Sequence, residues 1–210
     1  MGDIGPCGPC TEIHYYTGNN SEKQHPDGVN KLPEYREIWN LVFIQYNRKS
    51  DGSLNDLPYK HVDTGAGLER ITAILNGYDS NYDTDLFQSL INEIIKISGK
   101  LYSYENGIPH RVISDHLRMI SFSIADGIMP SNEGRGYVVR RILRRALRFG
   151  RNLNLNTPFL YKLVDILNIQ MKKSFPEIDE KLEHIKKIIF SEEKSFIKTL
   201  DKGLEIFEKI

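Results

Sequence analysis

The chain has 210 residues, 40% of them hydrophobic and 27% charged, with 28 Lys and Arg set against 28 Asp and Glu. That length holds one large domain or two small ones, the composition is that of an ordinary soluble globular protein, and zero net charge excludes a global pull toward nucleic acid, so any such pull comes from local patches. No apolar run is long enough to cross a membrane, the start MGDIGPCGPC lacks the basic lead and apolar core of a signal peptide, and two cysteines make no disulfide framework, so a reducing compartment is expected.

The first part reads as antiparallel strands joined by loops. Cys7 and Cys10 form a C-x-x-C inside GPCGPC. Zinc needs about four ligands; there is no second Cys pair, and a strand would aim His14, the third candidate, awkwardly. A thioredoxin-type pair opens a helix, whereas a strand follows here. The cysteines are expected to be small, soft wall residues of a rigid Gly-Pro loop. Residues 11–16 are strand-like, and 17–33 form a polar surface loop rich in Gly, Asn and Pro. Residues 37–46, EIWNLVFIQY, are too rich in β-formers to be a loop. Alternation places Glu37 and Trp39 on one face and Ile38, Asn40 and Val42 on the other. An amide beside a small apolar side chain suits a small amino-acid pocket, and equally describes an edge strand with one solvated Asn. Asp51-Gly52 marks a turn.

A return strand ends near residues 59–62 and runs into DTGAGLERITAIL, residues 63–75. Gly65 and Gly67 are expected to open a turn, and Leu68, Ile71 and Leu75 predict a helix. A carboxylate, Asp63, and an arginine, Arg70, therefore flank a strand-to-helix junction. Glycine lets backbone approach a ligand closely, a helix start offers unpaired N–H groups, and a guanidinium matches phosphate oxygens, which together suit a nucleotide. An ordinary Gly turn with a surface arginine has the same spacing. Asp63, if buried, needs a cationic partner; a ligand ammonium and a neighbouring Lys or Arg both qualify.

After about residue 80 helical periodicity dominates, over roughly 83–98, 111–126, 135–149, 158–173 and 177–209. Thr84-Asp85 and Ser191 with Glu193 read as helix-start signals, and Pro130 and Pro158 separate helices. Residues 131–151 carry seven arginines, and no acidic residue occurs from Gly134 to Val164. At helical spacing Arg140, Arg144 and Arg148 form a stripe with Arg141 and Arg145 beside it, opposite Val139, Leu143, Ala146 and Leu147. Such a face is either paired with distant acids or reserved for phosphates, and the missing local acids favour phosphates. Ser131, Asn132 and Glu133 precede the helix as capping groups and readers of base edges.

Together these segments resemble the class II alanyl-tRNA synthetases. The stretches that carry the resemblance are GDIGPCGPCTEIHY (2–15), EIWNLVFIQYNR (37–48), VDTGAGLERI (62–71), SNYDTDLF (80–87), RVISDHLRMISFSIADGIMPSNEGRGYVVRRILRRALRFG (111–150) and EEKSFIKTLDKGLEIFE (192–208). The resemblance implies an α+β chain: part of the class II antiparallel sheet over residues 1–80, then an all-α tRNA-recognition domain over 81–210. It implies an ATP-dependent alanine–tRNA ligase of the cytoplasm, acting through alanyl-adenylate, with alanine, ATP and the acceptor stem of tRNA(Ala) as partners. GAGLER is similar to class II motif 3, so Arg70 would hold the triphosphate. Asp63 would pair with the alanine ammonium, Asn40 would bond alanine, and Val42 and Gly65 would wall a pocket for one methyl. Ile38, Trp39 and Asn40 would lie against the nucleotide, and Glu37 would help hold magnesium brought with ATP. Asn132 matches the reader of a G·U pair, and Arg140, Arg141, Arg144, Arg145 and Arg148 would hold phosphates around it.

Family members carry motifs 1 and 2 before the stretch matched by this chain, and an editing domain with zinc ligands after it. The chain is therefore expected to be a fragment lacking the N-terminal half of the catalytic domain, inactive alone, with zinc only in the absent domain and with exposed sheet surface in residues 1–80. The alternative is a non-catalytic RNA-binding module derived from the same fold.

Overall fold

The computed structural model of the chain describes residues 3–207; Met1, Gly2 and residues 208–210, which include the last two residues of the helix expected over 177–209, lie outside them. The chain divides into two compact units, one up to Thr84 and one from Asp85.

The first unit is built on a four-stranded antiparallel sheet: β1 (Gly5–Cys7), β2 (Cys10–Tyr16), β3 (Tyr35–Arg48) and β4 (Leu54–Ala66). The long run of β-formers makes β3 the central strand, with β1 and β2 along one side and β4 along the other. The cysteines end β1 and β2 rather than sitting in the loop between them, with Cys7 opposite Tyr46 and Cys10 opposite Val42. The β3–β4 turn holds Gly52 at φ +84, and the Asp51 carboxylate accepts from the Ser53 N–H and hydroxyl at 2.9 and 2.6 Å. Those bonds favour the ionised acid and hold its pKa below the usual value.

Two expectations change here. Gly65 opens no turn: it lies within β4 opposite Asn40, Ala66 continues the ladder opposite Trp39, and only Gly67, whose N–H reaches the Ile38 carbonyl at 3.0 Å, caps α1 (Leu68–Leu75). The second change is a β-bulge. Ile13 faces Trp39 but His14 faces Glu37, so Ile38 is an extra residue and strict alternation fails there. Glu37 then shares the face of His14, Glu12 and Asn40, while Trp39 lies on the other.

That other face is apolar and open. Ile13, Trp39, Phe43 and Val62, joined by the Ile13–Trp39 and Phe43–Val62 pairings, are 45%, 40%, 37% and 61% exposed. A contiguous apolar sheet face drives association. The sedimentation coefficient of the chain is expected to rise between about 1 and 100 μM, and Trp39→Lys with Phe43→Lys is expected to abolish the rise, at concentrations bracketing the micromolar range of weak contacts. A wild-type coefficient that stays constant over that range refutes this.

The second unit comprises α2 (Asp85–Ser98), α3 (Ile108–Ala125), α4 (Gly134–Asn152), α5 (Leu160–Met171), α6 (Pro176–Glu180) and α7 (Leu182–Phe207). Its core draws Leu90 and Ile94 from α2, Ile113, Leu117 and Ile120 from α3, Val139, Leu143, Ala146 and Leu147 from α4, Leu160, Leu163 and Leu167 from α5, and Ile185 and Ile189 from α7. The α4 residues are the apolar side that periodicity predicts. α3 starts three residues before its expected position because Pro109 falls in the first turn, where its missing N–H costs nothing. The expected helix from residue 177 is two helices broken at Lys181, whose ammonium caps the C-terminus of α3 on the Ala125 carbonyl.

Ser191 and Glu193 start no helix; both lie inside α7. Glu193 is nonetheless a cap, for a different helix. It is fully buried, and its carboxylate accepts from the N–H groups of Phe159, Leu160 and Tyr161 at 2.9, 2.8 and 3.0 Å, at the start of α5. Those are orphan donors of a helix terminus, which a neighbouring helix satisfies here.

Candidate functional site

On the first unit, the register assembles one polar sheet face. Val42 pairs with Asp63 and Asn40 with Gly65 across β3 and β4, while Glu12 of β2 pairs with Asn40 from the other side. Paired residues of an antiparallel ladder project to the same face. Val42 is buried, Asn40 half-buried, and Asp63 and Gly65 exposed. Asn40 Nδ2 donates to Glu12 Oε1 at 3.4 Å, and Glu12 Oε2 meets His14 Nε2 at 3.0 Å and Asn30 Nδ2 at 3.5 Å. The His14 hydrogen bond, followed by that of Asn30, keeps the Glu12 carboxyl below its usual range.

Farther along the same face, Arg70 in the first turn of α1 reaches back to β3. Its Nη1 donates to the Glu37 carbonyl at 2.8 Å and to Glu37 Oε2 at 3.2 Å. The bulge at Ile38 is what brings Glu37 onto this face. The expected nucleotide set is divided: Asn40 and Arg70 share the face, whereas Trp39 points to the other and donates its indole N–H to Thr64 Oγ1. Glu12 was missed in the sequence because only cross-strand register, not spacing, puts it against Asn40.

On the second unit, α4 presents its arginines in two ways. Arg141, Arg144, Arg145 and Arg148 are exposed and line a groove of about 570 Å³ with Tyr137, Val138, Ile142 and Phe196. Arg144 stacks over the Phe196 ring at 5.4 Å, and Arg145 and Arg148 lie 5.8 and 5.7 Å from the Phe149 ring. None of these four has an acid among its described ion-pair partners. Arg140, expected to share their phosphate role, turns the other way. It forms a two-pronged pair with Glu192 of α7 at 3.0 and 2.7 Å and also donates to Asn132 Oδ1 and to the Pro130 carbonyl. One position past buried Val139, it sits at the margin of the inward stripe.

The loop before α4 is fixed by backbone. The Ser131 N–H donates to the Gly136 carbonyl at 3.1 Å, and a Cβ on Gly136 would overlap Met129 and Ser131. Glu133 is the N-cap residue without a side-chain cap bond, and Ser131 Oγ donates to the Glu133 carbonyl at 2.8 Å instead of capping the helix. Asn132 is exposed at this lip. Glu192 and Phe196 lie in a stretch that carries the resemblance, 192–208, but spacing along the chain cannot pair them with Arg140 and Arg144, which sit about 50 residues away on α4.

Among the described residues no three His, Cys, Asp or Glu side chains cluster as a metal site, and no helix is long and apolar enough to cross a membrane. The profile of the family described as tRNA synthetases class II (A) matches residues 1–210. This chain belongs to that family. The alanine–tRNA ligase of Chlorobium chlorochromatii is 51% identical over 220 residues, covering 100% of this chain and 24% of that relative. The ligase of Christiangramia forsetii is 51% identical over 217 residues, covering 100% of the chain and 25% of the relative, and that of Anaeromyxobacter dehalogenans 47% identical over 217 residues, covering 99% and 24%. The chain thus spans about a quarter of the length of the curated relatives it matches, and that quarter holds a class II synthetase sheet and an all-helical unit.

Proposed function

We propose that this chain contributes to an ATP-dependent alanine–tRNA ligase of the cytoplasm, its sheet binding alanine and ATP and its helical unit binding the acceptor stem of tRNA(Ala). The observation that carries the reading is the meeting of Asn40, Val42, Asp63 and Gly65 on one sheet face, with Arg70 on the same face. Asp63 pairs with the alanine ammonium, Asn40 hydrogen-bonds the amino acid, and Val42 with the bare Gly65 leaves space for one methyl. Arg70, which uses only Nη1 on Glu37 among the described bonds, keeps further N–H groups for phosphate oxygens.

In the first step the alanine carboxylate attacks the α-phosphorus of ATP. A carboxylate oxygen–phosphorus bond forms, the bond to the β-phosphate breaks, and pyrophosphate leaves. In the second, a hydroxyl at the tRNA 3′ end takes the alanyl group and AMP leaves. The protein supplies no nucleophile; it positions reactants and neutralises charge. Magnesium neutralises phosphate charge when bound with ATP. With Glu37 already shared with Arg70 and Glu12 with His14, and Asp63 assigned to the ammonium, the donors suit an ion held mostly by phosphates and water.

All of β4 except half-buried Leu57 is solvent-exposed, so the sheet does not by itself exclude water from the reacting groups. ATP–pyrophosphate exchange with alanine is therefore expected to stay at background for this chain; exchange above background overturns that expectation. A non-hydrolysable alanyl-adenylate analogue is expected to bind, and Asp63→Asn to weaken it about tenfold or more, the effect of losing one charge-assisted bond. Equal binding by both proteins would rule out Asp63 as the ammonium partner.

A further inference from the structure

Glu12 lies on the amino-acid face, yet the steps above give it no task. It sits on β2 opposite Asn40, so the Asn40 side chain stands between Glu12 and Gly65 of β4. Three N–H groups converge on the Glu12 carboxylate: His14 Nε2 at 3.0 Å, Asn40 Nδ2 at 3.4 Å and Asn30 Nδ2 at 3.5 Å. An ionised carboxylate only accepts. The His14 ring therefore carries a proton on Nε2, and the Asn40 amide turns its NH2 group toward β2. The two heteroatoms of an amide diverge from one carbon, so Asn40 Oδ1 faces away from β2, on the side of Gly65 and Asp63. That side is open, for a Cβ on Gly65 would meet nothing within 4 Å. Glu12 is itself held in place. The His14 side chain is only 7% exposed, and a bond from a buried ring leaves the carboxylate little freedom to swing.

We infer that Glu12 is a positioning residue that locks the Asn40 amide with its oxygen toward the ligand, so that Asn40 and Asp63 together recognise the ammonium of the amino acid. Its role rests on the alanine-binding reading above. With one amide N–H spent on Glu12, an oxygen of Asn40 and the carboxylate of Asp63 flank the space over Gly65. Both accept, and an ammonium brings three donors. An anionic group in the same place would meet the charge of Asp63. Without Glu12 the amide can turn over, because its two ends are alike in size, and it then sets a donor against a donor. Glu12 touches no substrate and acts through Asn40.

The test uses the full 210-residue chain and two compounds whose affinities are read by titration calorimetry. One is alanyl-sulfamoyl adenosine, a non-hydrolysable alanyl-adenylate analogue; the other is its propionyl counterpart, which lacks only the amine. Wild type is expected to prefer the alanyl compound about a hundredfold, the combined effect of a charge pair and one further hydrogen bond. Asn40→Ala and Glu12→Ala are each expected to cut that preference about tenfold, and the double variant to cut it no further. Glu12→Gln is expected to keep most of it, since one oxygen still accepts from Asn40. Exchanging the two groups, Glu12→Gln with Asn40→Asp, still turns an oxygen to the ligand and is expected to keep the preference. A Glu12→Ala loss that is equal on both compounds overturns the inference, because Glu12 then serves the fold alone. So does a loss that adds to that of Asn40→Ala, because Glu12 then touches the ligand itself, and so does a Glu12→Ala protein with the wild-type preference. An exchanged pair without preference overturns it too, because Asn40 then serves as a donor. A wild type that binds neither compound, or binds both alike, overturns the alanine-binding reading itself. Should Glu12→Ala fail to fold, Glu12→Asp, which draws the carboxylate back by one methylene, is expected to lose the preference severalfold, and an unchanged preference there overturns the inference.

Discussion

Replacing Glu193 with Ala is expected to cost the helical unit about 3–4 kcal/mol, because it leaves three buried N–H groups of α5 without an acceptor and opens a void in the core. The melting temperature should fall by roughly 10–15 °C for a unit of this size. Glu193→Gln keeps an acceptor oxygen in place and should cost far less. Burial pushes the Glu193 carboxyl above its ordinary value of 4.5, against the lowering pull of the Leu160, Phe159 and Tyr161 N–H groups and of Lys162. A raised folded pKa means that the folded state binds the proton more tightly than the unfolded one. The stability this adds is complete below 4.5 and is lost as pH rises through the folded value. Thermal melts of wild type and Glu193→Gln should therefore diverge in favour of wild type as pH is lowered from neutrality toward 4.5. A pH-independent difference between the two, or a Glu193→Ala protein that melts with wild type, would refute the capping account.

Removing Arg141, Arg144, Arg145 and Arg148 together should lower RNA affinity on the order of a thousandfold at physiological salt, and reduce the slope of log K against log salt by up to about four. Each arginine that neutralises one phosphate releases about one counterion, so each contributes about one to the slope and roughly fivefold to affinity near 0.15 M salt. Arg144→Ala alone should weaken every RNA hairpin by a similar factor, whatever its sequence, since phosphates carry no sequence information. Filter binding across a salt series reads both quantities. A quadruple variant with an unchanged salt slope would show that the groove arginines touch no phosphate. Because these side chains also stack on Phe196 and Phe149, substitution by Lys should restore the slope more fully than the affinity.

Much of this molecule could be read from its residues. The α+β order, the apolar stripe of α4 and the strand through residues 37–46 follow from local periodicity and β-propensity, which depend on neighbours in the chain. The pairing of Asn40 and Val42 with Gly65 and Asp63 extends what the resemblance to alanyl-tRNA synthetases implied, because those residue types occur in segments with few alternatives. Alternation failed at Ile38, where one extra residue moves Glu37 to the face of Asn40. A bulge is a property of two strands, and no single strand announces it.

The sequence by itself determined the element types, the basic character of α4 and the family, since each is written in short-range pattern or in motifs. The tertiary structure alone decided partnership. It turned Glu193 from an apparent start signal into the cap of another helix, set Arg140 on Glu192 and Asn132 while its neighbours stayed in solvent, and kept Gly65 in a strand. These outcomes depend on side chains brought together across many residues, and electrostatic and hydrogen-bond energies fall off over distances that only folding makes short.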